Sequence, residues 1–191
     1  MDASHTESAG NDHEWDLLKR IAEQDRSAFS ELYELYHTRL FKFVYRLTHS
    51  HAMSDELVND IMLLVWRKAG SFRGGSKVST WIFGIAYRQS LRRLSRDKSK
   101  LFQPIDTAEL VADDSDGGDI ENWVRQGLNA LPAAQQITAV LVFYLGLTYE
   151  EVSEVTGSPV GTVKTRMFHA RQKLRDILPA IARPASERES P

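Results

Sequence analysis

Cysteine is absent from this sequence of 191 residues. Its absence excludes disulfide scaffolds, thiolate zinc sites, iron–sulfur clusters and catalysis by a cysteine nucleophile. No apolar run reaches the roughly 18 residues that a membrane-spanning helix needs, and the polar N-terminus lacks the apolar stretch of a secretory signal. We therefore expect a cytoplasmic protein with no direct membrane insertion.

Catalytic and metal-binding patterns are also missing. The six histidines are scattered, and His49 and His51 lie in a predicted turn with no third metal ligand nearby. The sequence contains no glycine-rich phosphate loop, and Asp113, Asp114 and Asp116 lack the spacing of a calcium-binding loop. We expect a protein that is not an enzyme and that needs no metal or cofactor.

Charge is nearly balanced over the whole chain, with 24 basic and 26 acidic side chains, but it is unevenly distributed. Residues 67–100 hold ten lysines and arginines against one aspartate, and residues 101–122 hold seven acidic side chains and no basic one. Residues 160–178 are basic again. The function must explain two cationic segments separated by an acidic one.

Apolar residues recur at intervals of three and four, and no segment alternates with a period of two, so the sequence predicts an all-α fold. We expect a three- to four-helix bundle over residues 14–96 and a four-helix domain over residues 119–180. The acidic segment 97–118 is predicted to be a flexible linker, because it is longer than ordinary loops. Residues 1–13 are expected to be disordered, and residues 181–191 to form a mobile tail.

Helix ends within the first domain are indicated by local signals. Ser54 is a candidate N-cap for a helix that Gly70 would end. Ser79 or Thr80 is expected to cap the following helix, which continues through Arg96.

Residues 147–174 have the pattern of a helix-turn-helix, with a short helix, a turn at Gly157 and a longer basic helix. Thr148 and Glu151 have the spacing of a capping box at the start of the first helix. A small shared core is expected from Val152, Val155, Val163, Met167 and Leu174. The second helix would then present side chains that fit the major groove of DNA. The alternative is an ordinary helical hairpin with a solvated basic face.

Aromatic and basic residues are interleaved in the first cationic segment, where the basic members are Arg73, Lys77, Arg88 and Arg92. Aromatic rings can stack on unpaired bases while cations hold the backbone, which is how single strands are bound. Aromatic residues at helical spacing belong more often to a core, and we expect Trp81 to lie mainly in the core. The exposure of Phe72 and Phe83 is left open.

Two sets of motifs lie along about residues 15–180. The first set comprises Glu56-Leu-Val-Asn-Asp60, Val65-Trp-Arg67, Phe72-Arg-Gly74 and Ser79-Thr-Trp-Ile-Phe-Gly-Ile-Ala86. The second set comprises Leu131-Pro132, Leu147-Thr-Tyr-Glu-Glu-Val152 and Pro159-Val-Gly-Thr-Val-Lys-Thr-Arg166. The first set resembles region 2, and the second region 4, of bacterial sigma factors of the extracytoplasmic-function group. The resemblance implies a subunit that binds core RNA polymerase and directs promoter-specific initiation.

The resemblance also implies roles for residues. Region 2 of the family docks on polymerase, and its motif falls on Glu56, Leu57, Asn59 and Asp60, with Trp66 nearby. Region 2 melts the minus-ten element and captures a flipped base, which implies DNA contacts at Phe72, Arg73, Lys77, Trp81, Arg88, Arg92, Arg93 and Arg96. Region 4 reads the minus-35 element, which implies contacts at Thr162, Lys164, Thr165, Arg166, Phe168, His169 and Arg171. Arg88 replaces a common asparagine, and His169 replaces a common arginine.

The partners implied are core RNA polymerase, promoter DNA and an anti-sigma factor. On the polymerase, the expected contacts are the clamp of the largest subunit and the flap of the second largest. The acidic linker either mimics a nucleic-acid backbone within polymerase or acts as a self-repelling spacer. Two other functions stay open from the residues alone: a stand-alone helix-turn-helix regulator, and a protein-interaction module.

Overall fold

The computed structural model describes residues 3–96 and 126–182, and these residues form helices joined by short turns. No β-strand occurs within those two stretches. The all-α prediction is confirmed. The chain divides into two compact units, of which the first comprises residues 3–96 with Ser153–Gly157 and the second the other described residues. Residues 3–96 are termed the N-terminal unit, and residues 126–182 the C-terminal unit.

Four helices form the N-terminal unit, and a single 3-10 turn (Ala69–Ser71) follows the third of them. The helices are α1 (Ala3–Ala22), α2 (Arg26–Thr48), α3 (His51–Lys68) and α4 (Val78–Arg96). Each helix buries one apolar stripe, as the spacing of three and four predicts. The largest fully buried side chains include Leu17 on α1, Phe43 on α2, Ile61 on α3 and Phe83 on α4.

An aromatic cluster lies at the centre of this core. The Phe83 ring packs edge-to-face against Phe43, with centroids 5.5 Å apart, and lies 6.2 Å from the Tyr36 ring. The hydroxyl of Tyr36 donates a hydrogen bond of 2.7 Å to Glu14 of α1. Burial and the adjacent Glu14 carboxylate both raise the pKa of Tyr36. The phenol therefore stays protonated and keeps donating to Glu14, which joins α1 to α2.

The N-terminal helix begins earlier than the sequence predicts. The structure places residues 3–13 in α1, so the expectation of a disordered segment 1–13 is wrong from residue 3 onward. From Asn11 onward, this helix contacts distant parts of the chain, which local composition does not reveal. Asn11 accepts a hydrogen bond from the backbone N–H of Val78, and the His13 ring lies 2.9 Å from a carboxylate oxygen of Glu31.

The capping prediction for α3 is displaced by one turn. Ser50, not Ser54, is the N-cap, and its side chain accepts from the backbone N–H of Met53. Ser54 is buried instead, where its hydroxyl lies 2.9 Å from that of Thr48 and donates to the carbonyl of Ser50. Serine is a favoured N-cap residue at either position, and only the burial of Ser54 shows that Ser50 is the cap.

The ends of α3 and α4 also differ slightly from prediction. Helix α3 ends at Lys68, two residues before Gly70, and the 3-10 turn fills the difference. Helix α4 begins at Val78, ahead of the predicted caps Ser79 and Thr80, and reaches Arg96 as predicted. Asn11 of α1 replaces a local cap at this start, which explains the shift.

The C-terminal unit contains a helical turn at residues 126–129 and three longer helices. These helices are α5 (Ala133–Ala139), α6 (Tyr149–Thr156) and α7 (Val160–Ala182), and one π-helical turn (Val140–Tyr144) extends α5. Leu131, Ala139 and Ala170 form a buried cluster, against which Leu128 and Leu174 pack. Gly146 adopts a φ of 69°, which ends the helical path after the π turn.

Parts of the predicted organisation lie outside the described residues. The linker prediction for residues 97–118 falls there, as do residues 119–125 of the predicted second domain and residues 183–191 of the tail. Helix α7 reaches Ala182, so the first two residues of the predicted mobile tail are helical.

Asp25 gives the N-terminal unit a pH-dependent contribution to stability. It caps α2, and hydrogen bonds from Ser27, from Arg20 and from the backbone N–H of Ala28 lower its pKa below the ordinary 3.8. A carboxyl with a depressed pKa stabilises the fold above its unfolded pKa and loses that effect as the pH falls.

We therefore expect Asp25→Asn to be less stable than the wild type near neutral pH, with the difference shrinking below about pH 4. Asparagine still caps helices, so the substitution isolates the charge. Thermal unfolding of both proteins over a pH series measures the difference. A difference that stays constant with pH would contradict this account.

Candidate functional site

The predicted docking motif lies on the exposed side of α3. Glu56, Asn59 and Asp60 are solvent-exposed, and Trp66 is half-buried with its ring 5.1 Å from that of Phe29. Leu57, also predicted to dock, is only 4% exposed, so its side chain belongs to the core and has little surface to offer a partner. The reason is helical geometry, since one residue of rotation after Glu56 turns the side chain inward.

Two residues beside this motif were not found from the sequence. The hydroxyl of Tyr33 on α2 donates a hydrogen bond of 3.1 Å to the side-chain oxygen of Asn59. Leu63, one turn beyond Asn59, is 44% exposed. Its spacing of four from Asn59 was the available signal, and it adds an apolar patch to the acidic face.

An ion pair connects the docking motif with the arginines of α4. Arg93 donates to a carboxylate oxygen of Glu56 at 3.0 Å, and the pair is open to solvent, with 42% of the Arg93 side chain and 58% of the Glu56 side chain accessible. Exposed pairs of this kind contribute about 1 kcal/mol or less to stability. The two predicted sites on the N-terminal unit are therefore adjacent, which the sequence separation of 37 residues conceals.

The loop of residues 72–77 and helix α4 carry the other predicted contacts of the N-terminal unit. The Phe72 ring lies 5.2 Å from Trp81, and both residues are half-buried, so Trp81 is less enclosed than predicted. Phe83 is fully buried in the core. Lys77 and Arg93 are half-buried, and the exposed cations are Arg73, Arg88, Arg92 and Arg96.

In the C-terminal unit, the predicted capping box is present at the start of α6. The backbone N–H of Thr148 donates to Glu151 at 2.8 Å, and the backbone N–H of Glu151 donates to the Thr148 hydroxyl at 3.2 Å. Gly157 separates α6 from α7 with a φ of 69°, a value that glycine adopts without strain. Sequence order and backbone conformation are those of a helix-turn-helix.

Helix α7 divides its side chains between the interior and solvent. Val163, Met167 and Ala170 are buried. Phe168 is 62% exposed, and the other exposed members of the predicted set are Lys164, Thr165, His169 and Arg171. Thr162 and Arg166 are half-buried.

Three members of this set make local contacts. The Arg166 guanidinium donates to the Ser158 hydroxyl at 2.9 Å, and the Thr165 hydroxyl donates to the carbonyl of Gly161 at 3.0 Å. The Arg171 guanidinium lies 5.8 Å from the centre of the exposed Phe143 ring. Such contacts limit the rotamers of these side chains and so hold the exposed face of α7 in a defined arrangement.

The described residues show neither a cluster of metal ligands nor a membrane-spanning helix. Across residues 3–96 and 126–182, no three histidine, aspartate or glutamate side chains converge as metal ligands would. No helix in the described part of the chain is both long and apolar enough to cross a bilayer. Burial lowers the pKa of His49, which lies at the end of α2.

Comparison with known families identifies both groups of motifs. The family model of sigma-70 region 2 matches residues 32–100, and that of sigma-70 region 4 matches residues 121–174. The ECF RNA polymerase sigma factor SigK of Mycobacterium bovis (strain BCG / Pasteur 1173P2) is 31% identical over 172 residues, which cover 85% of this chain and 91% of the relative. The chain belongs to the extracytoplasmic-function sigma factors. It is a transcription initiation factor that directs promoter-specific initiation, and its family is not a catalytic one.

Other sigma factors are also similar to this one in sequence or structure. SigM of Mycobacterium tuberculosis (strain ATCC 35801 / TMC 107 / Erdman) is 31% identical over 163 residues, covering 85% of this chain and 83% of the relative. Among solved structures, the sigma factor RpoE in complex with the anti-sigma factor NepR from Bartonella quintana is 26% identical, with a TM-score of 0.60. That match covers 81% of this chain and 98% of the solved one.

A further solved structure shows the same fold at lower identity. CnrH, in complex with the cytosolic domain of CnrY, has a TM-score of 0.67 at 23% identity, and the match covers 88% of this chain and 98% of that one.

Proposed function

We propose that this sigma factor binds core RNA polymerase through the exposed side of α3. The exposed acids Glu56 and Asp60, with Asn59 between them and Leu63 one turn on, form a face of the composition that a basic partner surface would recognise. The clamp of the largest polymerase subunit is the proposed partner. Trp66 lies beside this face, and its ring packs against Phe29 of α2. Leu57 is not part of the proposed contact, because its side chain is buried.

We propose that the loop of residues 72–77 and helix α4 open and read the minus-ten element. Flipping a base out of a duplex costs a few kcal/mol of stacking, which a pocket must offset. The half-buried rings of Phe72 and Trp81 offer surfaces on which an unpaired base can stack. The cations of this region would hold phosphates, which positions the strand without specifying sequence. They are Arg73, Lys77, Arg88, Arg92, Arg93 and Arg96.

We propose that α7 enters the major groove at the minus-35 element. Lys164, Thr165, Phe168 and His169 would face base edges, and the exposed Phe168 offers an apolar contact for a thymine methyl group. Thr162, Arg166 and Arg171 would contact the backbone, and the flap of the second largest subunit is the expected polymerase contact of this unit. The observation that carries the proposal is that one helix of a helix-turn-helix exposes most of this basic and polar set. The exposed members are Lys164, Thr165, Phe168, His169 and Arg171.

We propose the domain arrangement that the sequence predicts, with residues 14–96 as region 2 and residues 119–180 as region 4. The matched family ranges 32–100 and 121–174 support it. Residues 97–118 would connect the two as an acidic linker. The proposal includes a cytoplasmic location, where polymerase and promoter DNA are found, and a role without enzymatic activity.

We also propose control by an anti-sigma factor. The support is that RpoE of Bartonella quintana, 26% identical to this chain, was solved in complex with the anti-sigma factor NepR. Such a partner would occlude the docking and DNA-binding faces. Affinity purification of the tagged protein from cells in two growth states tests this idea, and recovery of polymerase subunits alone in both states would count against it.

Run-off transcription on a fragmented genomic library, with core bacterial RNA polymerase, tests the main proposal. We expect start sites that depend on the added protein and that share two upstream elements. Core polymerase alone provides the control. A folded protein that gives no new start sites but binds duplex DNA tightly by itself would indicate a stand-alone regulator instead.

A further inference from the structure

One stripe of helix α1 faces the loop of residues 72–77. Asn11, Trp15 and Lys19 follow one another at intervals of four and therefore lie on the same side of the helix. The Trp15 ring packs edge-to-face against Phe72, the first residue of the loop, with centroids 4.9 Å apart. Lys19 lies one helical turn after Trp15, and its ammonium is 5.3 Å from the centre of the Trp15 ring.

The middle of the loop packs against the same tryptophan. Gly74 has a φ of 72°, and a Cβ at that position would come within 3.2 Å of the Trp15 ring. Only a residue without a side chain fits there at no cost. Phe72 also contacts Trp81, so three rings form a continuous series from α1 through the loop to α4.

The end of the loop is held by Asn11, the first residue of the stripe. Val78 is the first residue of α4, and the first backbone N–H groups of a helix have no partner within the helix. The Asn11 side-chain oxygen accepts the Val78 N–H at 3.2 Å. A residue 67 positions earlier in the chain thus supplies a hydrogen bond that local capping residues usually make.

We infer that Asn11 and Trp15 are positioning residues for minus-ten recognition. They hold both ends and the middle of the loop, and through it they fix how Arg73, Lys77 and Trp81 are presented to the promoter. The inference rests on the proposed function of the loop in minus-ten contact. Loss of either contact keeps the DNA-contacting side chains of the loop and α4 but lets the loop adopt other conformations. Discrimination among minus-ten sequences therefore falls.

The test compares Asn11→Ala with the conservative Asn11→Asp, whose carboxylate accepts the same hydrogen bond. Asp12→Ala is the matched control, since Asp12 is an exposed neighbour on α1. The first readout is hydrogen exchange at the Val78 amide in the purified full-length protein. We expect exchange about threefold faster or more in Asn11→Ala, with wild-type rates in Asn11→Asp and Asp12→Ala.

The second readout is transcription by core polymerase from a promoter recovered in the run-off assay, together with single-base variants of its two elements. We expect Asn11→Ala to lose about threefold or more in discrimination at the minus-ten element and to keep wild-type discrimination at the minus-35 element. Asn11→Asp should restore it. Trp15→Leu should act in the same direction, with Trp15→Phe closer to the wild type.

The outcomes separate the inference from the function on which it rests. Wild-type discrimination in Asn11→Ala, or an equal loss at every promoter together with a lower melting temperature, would overturn the positioning role alone. Transcription by the wild type that does not depend on the minus-ten sequence would overturn the proposed function and the inference with it. The Asn11 variants keep the test valid if the Trp15 variants fail to fold.

Discussion

Phe83→Ala is expected to destabilise the N-terminal unit by about 3–5 kcal/mol, because it removes a ring from the middle of a packed core. Phe83 has no exposed surface, and its ring contacts Phe43 and Tyr36 while the Arg39 guanidinium lies 5.5 Å from its centre. Whole domains are stable by only about 5–15 kcal/mol, so this loss removes a large part of the stability of the unit. Chemical denaturation followed by circular dichroism measures it.

Phe143→Ala is the matched control for this prediction. It removes the same side chain from a position that is 59% exposed. We expect a change of about 0.5 kcal/mol or less there, as for most surface substitutions. A loss at Phe83 as small as the one expected at Phe143 would show that the aromatic cluster does not determine the stability of the N-terminal unit.

Asp60→Arg is expected to abolish transcription at every promoter by preventing docking. Asp60 is exposed on α3 within the proposed docking face, and reversing its charge places like charges together across the interface. Like-charge contacts at an interface cost several kcal/mol, which corresponds to a loss of about 100-fold or more in affinity. Binding of fluorescently labelled protein to core RNA polymerase measures this directly.

Glu23→Arg makes the same charge reversal at an exposed residue between α1 and α2, outside the proposed face, and serves as the control. We expect near wild-type binding for it. The Asp60 variant should keep the helical content and melting temperature of the wild type, since Asp60 makes no core contact. Core binding by Asp60→Arg within about threefold of the wild type would exclude Asp60 from the docking surface.

Several local predictions were accurate because the signals that set them are local. The Thr148–Glu151 capping box requires only residues three apart, and its hydrogen bonds are present. The burial of Val163 and Met167 on α7 follows from helical periodicity. The prediction for α3 was less successful, because Ser50 and Ser54 carry the same capping chemistry and only the packing of α2 buries one of them.

The site residues show the same division. Periodicity placed Glu56, Asn59 and Asp60 on an exposed side of α3 and Leu57 among its apolar positions, whereas the docking motif grouped Leu57 with the exposed residues. Trp81 was expected in the core and is half-buried instead. Its environment depends on Phe72 and, through Phe72, on Trp15 of a helix whose first half was expected to be disordered.

The sequence by itself determined the helical class, the helix-turn-helix and the membership in a family of sigma factors, because periodicity, caps and motifs depend on residues close in the chain. The tertiary structure alone decided that α1 packs on the loop of residues 72–77 and that Glu56 pairs with Arg93. These contacts join residues tens of positions apart. They exist only once the helices have packed, since helix packing sets which side chains meet.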